Sequence, residues 1–251
     1  MDNFSKGQNQ FFIIGSQRSG TTLLELILDS HKNICTVGEP SVYNFSRSLN
    51  PLSGKIIGYK VPSLTYKYDY FKENYPNSKY LFIFRNVKSV VASMLNFKMQ
   101  LENKSLAEVN WSRETEDSID SISCILTRRK LRDEYNRVKN LDLILQTTLS
   151  VFCKYYLFDE YKNFNLDIKE VKYSDIVTNT RETIEDILVF LSLEWDDNVL
   201  NHHLLHKGKF SGEIDPKRSI DSSSLYLWKD KFTQDEINKI DNYLIYLKNI
   251  I

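Results

Sequence analysis

Arg18 stands in the stretch GSQRSGTTLL, residues 15–24, among the hydroxyls of Ser16, Ser19, Thr21 and Thr22 and between Gly15 and Gly20. A glycine-bounded turn that opens a helix points unpaired backbone N–H groups at an anion, and hydroxyls add donors. The spacing follows the phosphate-binding pattern G-x-x-x-x-G-K-[ST], except that Thr21 occupies the lysine position. The permanent charge is carried instead by Arg18, three residues earlier. A second basic and hydroxyl pair lies in FRNVKSVVAS, where Arg85 is followed eight residues on by Ser93. At helical pitch that spacing is about two turns, so both could converge on a second phosphate.

These groups need a scaffold that brings their chain segments to one place. Phe11 to Gly15 is an apolar run closed by glycine, and from Thr22 the spacing of Leu23, Leu24, Leu26, Ile27 and Leu28 becomes helical. Lys55 to Val61 and Lys79 to Phe84 are too short for helices and apolar enough to be inner parallel strands. Between them YKYDYFKENYP is amphipathic and stops before Pro76, and Val87 to Phe97 has a helical pattern. The stretch from Ser112 to Tyr161 reads as largely helical, its charges Arg128, Arg129, Lys130, Arg132, Asp133 and Glu134 forming a solvated face. Leu166 to Val177 returns to strand, and Glu182 to Leu191 makes a helix. Residues 207–229 form a long loop, and Thr233 with Glu236 reads as a capping box opening a last helix. The expected architecture is α/β in three layers: helices on both faces of a parallel sheet of four to five strands, in one domain spanning 1–251. In such sheets ligands bind beyond the carboxyl ends of the strands, where Arg18, Lys60 and Arg85 fall.

Composition bounds the partners. Lys plus Arg and Asp plus Glu are 33 each, so no overall basic field is available for nucleic acid. Cys35, Cys124 and Cys153 are odd in number and lack paired metal or redox spacing, which implies free thiols in a reducing compartment. No run reaches the apolar length of a membrane span and the first residues do not form a signal sequence, so a soluble, cytoplasmic protein is expected. His202 and His206 have the i, i+4 spacing of a metal helix but no accompanying glutamate or third ligand, so no metal is expected.

QRSGTTLL after a strand, together with FRNVKSVVAS, resembles the two cofactor signatures of the sulfotransferases that use 3′-phosphoadenosine 5′-phosphosulfate. The resemblance implies a P-loop-like fold in which Gln17, Arg18, Ser19, Gly20, Thr21 and Thr22 hold the 5′-phosphosulfate. Arg85 and Ser93 would hold the 3′-phosphate. GEP, from Gly38 to Pro40, resembles the segment of the carbohydrate and tyrosylprotein branch whose glutamate is the acceptor's base, which implies that role for Glu39. YKVP resembles the Lys-x-Pro segment whose lysine steadies the transferring group, which implies Lys60. VKYSDIV implies a nucleotide contact for Tyr173, and RSIDSSSLYLWKDKF is similar to a late serine-rich loop in which Trp228 and Lys229 would close over the cofactor. Some relatives place a second arginine twelve residues after the first; Phe97 stands there.

The implied reaction is metal-independent, in-line sulfuryl transfer to an acceptor hydroxyl, a saccharide ahead of a tyrosyl peptide or small alcohol. The loop lysine would be dispensable, because the donor carries one phosphate followed by a less charged sulfuryl group instead of a β/γ-phosphate pair. Two other classes stay open at this level. A small-molecule kinase would want lysine at position 21 and an acidic strand end for magnesium. A silent nucleotide-binding scaffold would keep the fold without the acceptor chemistry.

Overall fold

The computed structural model describes residues 10–39, 55–99, 102–206, 215 and 218–251. Five parallel strands form one sheet: β1 (Gln10–Gly15), β2 (Ile34–Gly38), β3 (Ile56–Lys60), β4 (Lys79–Phe84) and β5 (Asp167–Lys172), in the order β2-β3-β1-β4-β5. β1 pairs with β3 on one side and β4 on the other, so the strand order reverses there and a crevice opens beyond its carboxyl end.

Alternation along the inner strands builds a core on each face. Phe12, Ile14, Tyr80 and Phe82 point into a largely aromatic layer shared with α2 (Tyr68–Asn74), α4 (Leu106–Ser121), α5 (Ile125–Val138), α6 (Leu143–Asn163) and α10 (Gln234–Ile250). Phe11, Ile13, Leu81 and Ile83 point the other way, against α1 (Thr21–Asp29), α7 (Tyr173–Thr178) and α8 (Thr180–Phe190). α3 (Val87–Asn96) packs Val90, Val91 and Met94 on Leu106, Val151 and Ile240. The short α9 (His202–Leu205) packs on α1. The expected three layers are therefore present, and the parallel strands, expected as four to five, number five among the described residues.

Four local expectations are corrected. The strand foreseen over Leu166 to Val177 ends at Lys172, because Tyr173, Ile176 and Val177 are buried at helical spacing and belong to α7. β2 passes unannounced in the sequence, being the short edge strand ICTVG with only Ile34 fully buried. The long loop includes single 3-10 turns at Ser223–Leu225 and Leu227–Asp230. Glu134 leaves the solvated face of α5: it is 3% exposed and accepts from Arg137 at 2.6 and 2.8 Å and from the Tyr243 hydroxyl at 2.6 Å. The capping box at the start of α10 forms as expected, Thr233 and Glu236 each satisfying the other's backbone N–H.

Candidate active site

The loop after β1 is held from below and left open above. Gly15 adopts φ 130°, and a side chain there would meet the Ile83 carbonyl oxygen at 2.7 Å. Thr65 Oγ1 accepts from Gly15 N at 2.9 Å and donates to the carbonyls of Gly15 and Pro62 at 2.8 and 2.9 Å. Ser19 donates its hydroxyl to the Ser16 carbonyl at 2.7 Å, so that proton stiffens the turn from within. Arg18 sits in the left-handed region at φ 63°, a strained state that a surrounding structure must enforce. Gly20, at φ 107°, is the N-cap of α1; among the described residues no side chain caps the helix, and no acidic residue occupies its first turn. The first N–H groups of α1 are thus unclaimed by the described side chains and would face an anion favourably.

On one side of this loop lies a cavity of about 350 Å³, bordered by Arg18, Thr21, Thr22, Arg85, Ser93 and Tyr173 among others. The Arg85 guanidinium stacks on the Tyr173 ring with its Cζ 4.3 Å from the centroid, and donates to the Arg18 and Ser224 carbonyls at 3.1 and 2.9 Å. Its Nε is buried with no partner among the described residues. Burial pulls the Arg85 guanidinium below the ordinary arginine range. An anion at this place would satisfy both the charge and the orphaned donor. Ser93 Oγ accepts from Arg18 Nε at 3.0 Å, tying α3 to the loop. Tyr173 closes against the loop so tightly that a Cβ on Gly20 would fall 2.3 Å from its ring. Its hydroxyl bonds Ser224 in the late loop.

On the other side is a cavity of about 530 Å³, bordered by Gln17, Arg18, Thr21, Thr22, Glu39 and residues of α4 including Arg113, Glu114 and Asp117. Pro62, Leu64, Phe97, Met99 and Leu106 give it an apolar wall. Tyr66 also lines it, and burial together with the Asp117 carboxylate pushes its hydroxyl up to about 12. Gln17 is fixed by Glu114 and by the buried Lys154, whose ammonium also donates to the Pro62 carbonyl at 3.1 Å. At the rim Glu39 is held at φ 38° by its N–H donating to the Lys60 carbonyl at 2.8 Å. Lys60 is 1% exposed, with Nζ 3.3 Å from Glu39, 3.4 Å from Glu25 and 3.3 Å from Thr22 Oγ1.

Arg18, Thr21 and Thr22 border both cavities, so the two chambers meet at the loop. Most residues singled out in the sequence come together around this joint. Trp228 and Lys229 do not: neither borders either of these two cavities, and Trp228 instead lies under Lys88 Nζ, 4.9 Å from its ring centroid. From the same late segment it is Arg218, Ser219, Ile220, Asp221, Ser224 and Leu227 that border the smaller chamber. Arg218 grips Asp221 at 2.7 and 2.9 Å, and hydrogen bonds from Ser223 and Arg218 bring that carboxyl down to about 2. Sequence reasoning also passed over Glu25, Glu114 and Lys154, and weighed His202 only as half of a metal pair. His31 does not cap α1, whose C-cap is Ser30; its Nδ1 accepts from Asn33 N at 3.1 Å, which leaves Nε2 protonated to donate to the Glu194 carbonyl at 3.0 Å. Pro40 lies outside the described residues. Among the described residues no group of three or more His, Cys, Asp or Glu could hold a metal ion, and no helix is long and apolar enough to cross a membrane.

A sulfotransferase family model matches residues 10–50 and 42–197. A candidate protein-tyrosine sulfotransferase of Caenorhabditis briggsae is 23% identical over 291 residues, covering 97% of this chain and 89% of its own. Among solved structures, the sulfotransferase domain from the curacin biosynthetic pathway superposes with a TM-score of 0.61 at 14% identity, over 95% of this chain and 97% of that one. The mouse sulfotransferase SULT7A1 complexed with PAP gives 0.54 at 15% identity, over 96% and 85%. At these identities the structural likeness concerns the fold.

Proposed function

The chain belongs to the sulfotransferase family, and on that footing we propose that it moves a sulfuryl group from 3′-phosphoadenosine 5′-phosphosulfate to an acceptor hydroxyl. The observation that carries the reading is the meeting of two cavities at Arg18, Thr21 and Thr22, one basic and built for anions, the other fronted by a carboxylate. The unpartnered Arg85 Nε and the uncapped start of α1 are the features that fit a nucleotide with two phosphate groups.

When bound, the donor supplies an activated sulfuryl group; proton transfer and charge stabilisation fall to this chain. Glu39, 52% exposed in its side chain, accepts the hydroxyl proton as the acceptor oxygen attacks. Lys60 holds Thr22 in place and brings positive charge under the loop, and Arg18 with the open N–H groups of α1 receives the negative charge that gathers on the leaving phosphate. Arg85, Ser93 and Tyr173 anchor the far end of the nucleotide. Saccharides are the acceptors first in line, since the larger cavity combines an apolar wall with Asn110, Arg113 and Asp117. A tyrosyl peptide is the second reading, favoured by the name of the Caenorhabditis relative.

The experiment is transfer of labelled sulfate from the donor into saccharide and tyrosyl-peptide acceptors, beside calorimetry with 3′-phosphoadenosine 5′-phosphate. Glu39→Gln is expected to lower turnover by about a hundredfold or more while nucleotide affinity stays within about twofold. Near-normal turnover in that variant removes Glu39 from the base role, and nucleotide binding without transfer to any acceptor favours a silent scaffold.

A further inference from the structure

Lys60 is one buried cation facing two carboxylates, and only one of them belongs to the reaction just described. Its Nζ has three N–H groups and three partners, Thr22, Glu39 and Glu25, at 3.3, 3.3 and 3.4 Å. All three distances exceed the roughly 2.7–2.9 Å of a tight charge-assisted bond, so the ammonium hangs between its partners. Glu25 is 2% exposed and stands three residues after Thr22, on the same face of α1. The chain leading into Glu39 rests on it as well, because a Cβ on Gly38 would lie 3.1 Å from Glu25 Oε1.

We propose that Glu25 is a positioning residue of the transfer site, its buried carboxylate holding Lys60 under Thr22 and tempering the pull of Lys60 on Glu39. The proposal rests on the reading of Glu39 as the acceptor's base. A lone lysine beside Glu39 would collapse onto it and disfavour its taking a proton, because an opposite charge within a few ångströms stabilises the carboxylate. A second carboxylate on the far side divides that attraction. The groups facing Glu25 are Lys60 from β3, Asp29 one turn along α1, and Glu39 after β2. Burial raises the Glu25 carboxyl above its ordinary range, Lys60 opposes the rise, and Asp29 and Glu39 reinforce it. Glu39 also shares the lining of its cavity with Arg18 and with Arg113, Glu114 and Asp117 of α4.

The test is the pH dependence of kcat and of the donor KM for Glu25→Gln and Glu25→Asp, with calorimetry of 3′-phosphoadenosine 5′-phosphate on each. In Glu25→Gln, Lys60 is left to Glu39 alone. The acid limb of the kcat profile is expected to move to lower pH by about one unit, with kcat at its plateau down about tenfold and donor KM within about twofold. Glu25→Asp keeps the charge and is expected to restore the position of the limb while kcat stays reduced. An acid limb unmoved in Glu25→Gln overturns the proposal, since a merely structural ion pair would lower stability without touching it. Should Glu25→Gln fail to fold, Glu25→Asp decides: reduced kcat at unchanged donor KM supports the role, and wild-type kcat overturns it. Normal turnover in Glu39→Gln would sink the base reading itself, whereas loss there beside an unmoved limb in Glu25→Gln sinks only the part assigned to Glu25.

Discussion

Arg85 spends two of its guanidinium nitrogens on carbonyls of the loops it joins, its buried Nε has no partner among the described residues, and it lines the same cavity as Ser93 and Arg18. A buried cation with an idle donor is costly unless something occupies the space, and under the proposed donor the Arg85–Ser93 pair would read the 3′-phosphate. Both ATP and adenosine 5′-phosphosulfate lack that group, so discrimination against them should reside here. A charge-assisted contact is worth about 1.5–3 kcal/mol, so Arg85→Ala is expected to weaken 3′-phosphoadenosine 5′-phosphate roughly ten- to a hundredfold. The nucleotide without its 3′-phosphate should bind almost as poorly as before. Ser93→Ala should show the same pattern more mildly, and calorimetry with both nucleotides decides it; equal losses for the two ligands would move Arg85 out of the donor site. Arg18→Ala is expected to impair donor binding and turnover together, and unchanged kinetics would mean that the loop serves another purpose.

The elements that carry these side chains differ in how openly the sequence announces them. The loop after β1 and the Arg85–Ser93 pair are legible because each is local: strand, turn and helix follow within a few residues, and the spacing alone brings the groups together. Glu25, Glu114 and Lys154 are ordinary charged residues in helical stretches, and they become site components only when distant packing buries them. Lys154 meets Gln17 across 137 positions, a contact that no periodicity encodes. Glu134 was misplaced on a solvated face for the same reason, its tyrosine partners lying in α10. The Lys154 network straps the anion loop to α4 and α6, since it ties Gln17 and the Pro62 carbonyl to Glu114. Lys154→Met leaves Glu114 without its cation, and breaking a buried pair from one side costs about 3–5 kcal/mol. Urea denaturation should register that loss, and adding Glu114→Gln should recover much of it; a single variant as stable as wild type would mean that the strap bears no weight.

Over the whole molecule, the sheet order β2-β3-β1-β4-β5 gathers the elements of the candidate site at one end, where His202 of α9 borders the cavity that Arg85 and Tyr173 also line. His202 is 1% exposed, its Nδ1 has no partner among the described residues, and burial, aided by His203 and His206, brings it down to about 4. In the unfolded chain a histidine titrates near 6.5. Between those values the unfolded chain binds a proton that the fold refuses, so the contribution of His202 to stability is complete above about 6.5 and is lost as pH falls toward 4. Glu25 works in the opposite sense, because its raised carboxyl lets the fold take up a proton before the unfolded chain does. Absolute stability against pH therefore mixes the two, and the difference between wild type and His202→Asn separates them. The variant carries a packing cost that does not vary with pH, whereas the histidine contribution fades on acidification. The stability gap between the two proteins, measured by urea midpoints from pH 7.5 to 4.5, is expected to be largest at the alkaline end and to shrink steadily below about 6.5. A gap constant across that range would show that His202 accepts its proton in the folded state as readily as in the unfolded one, and that its burial at the edge of that cavity carries no electrostatic cost.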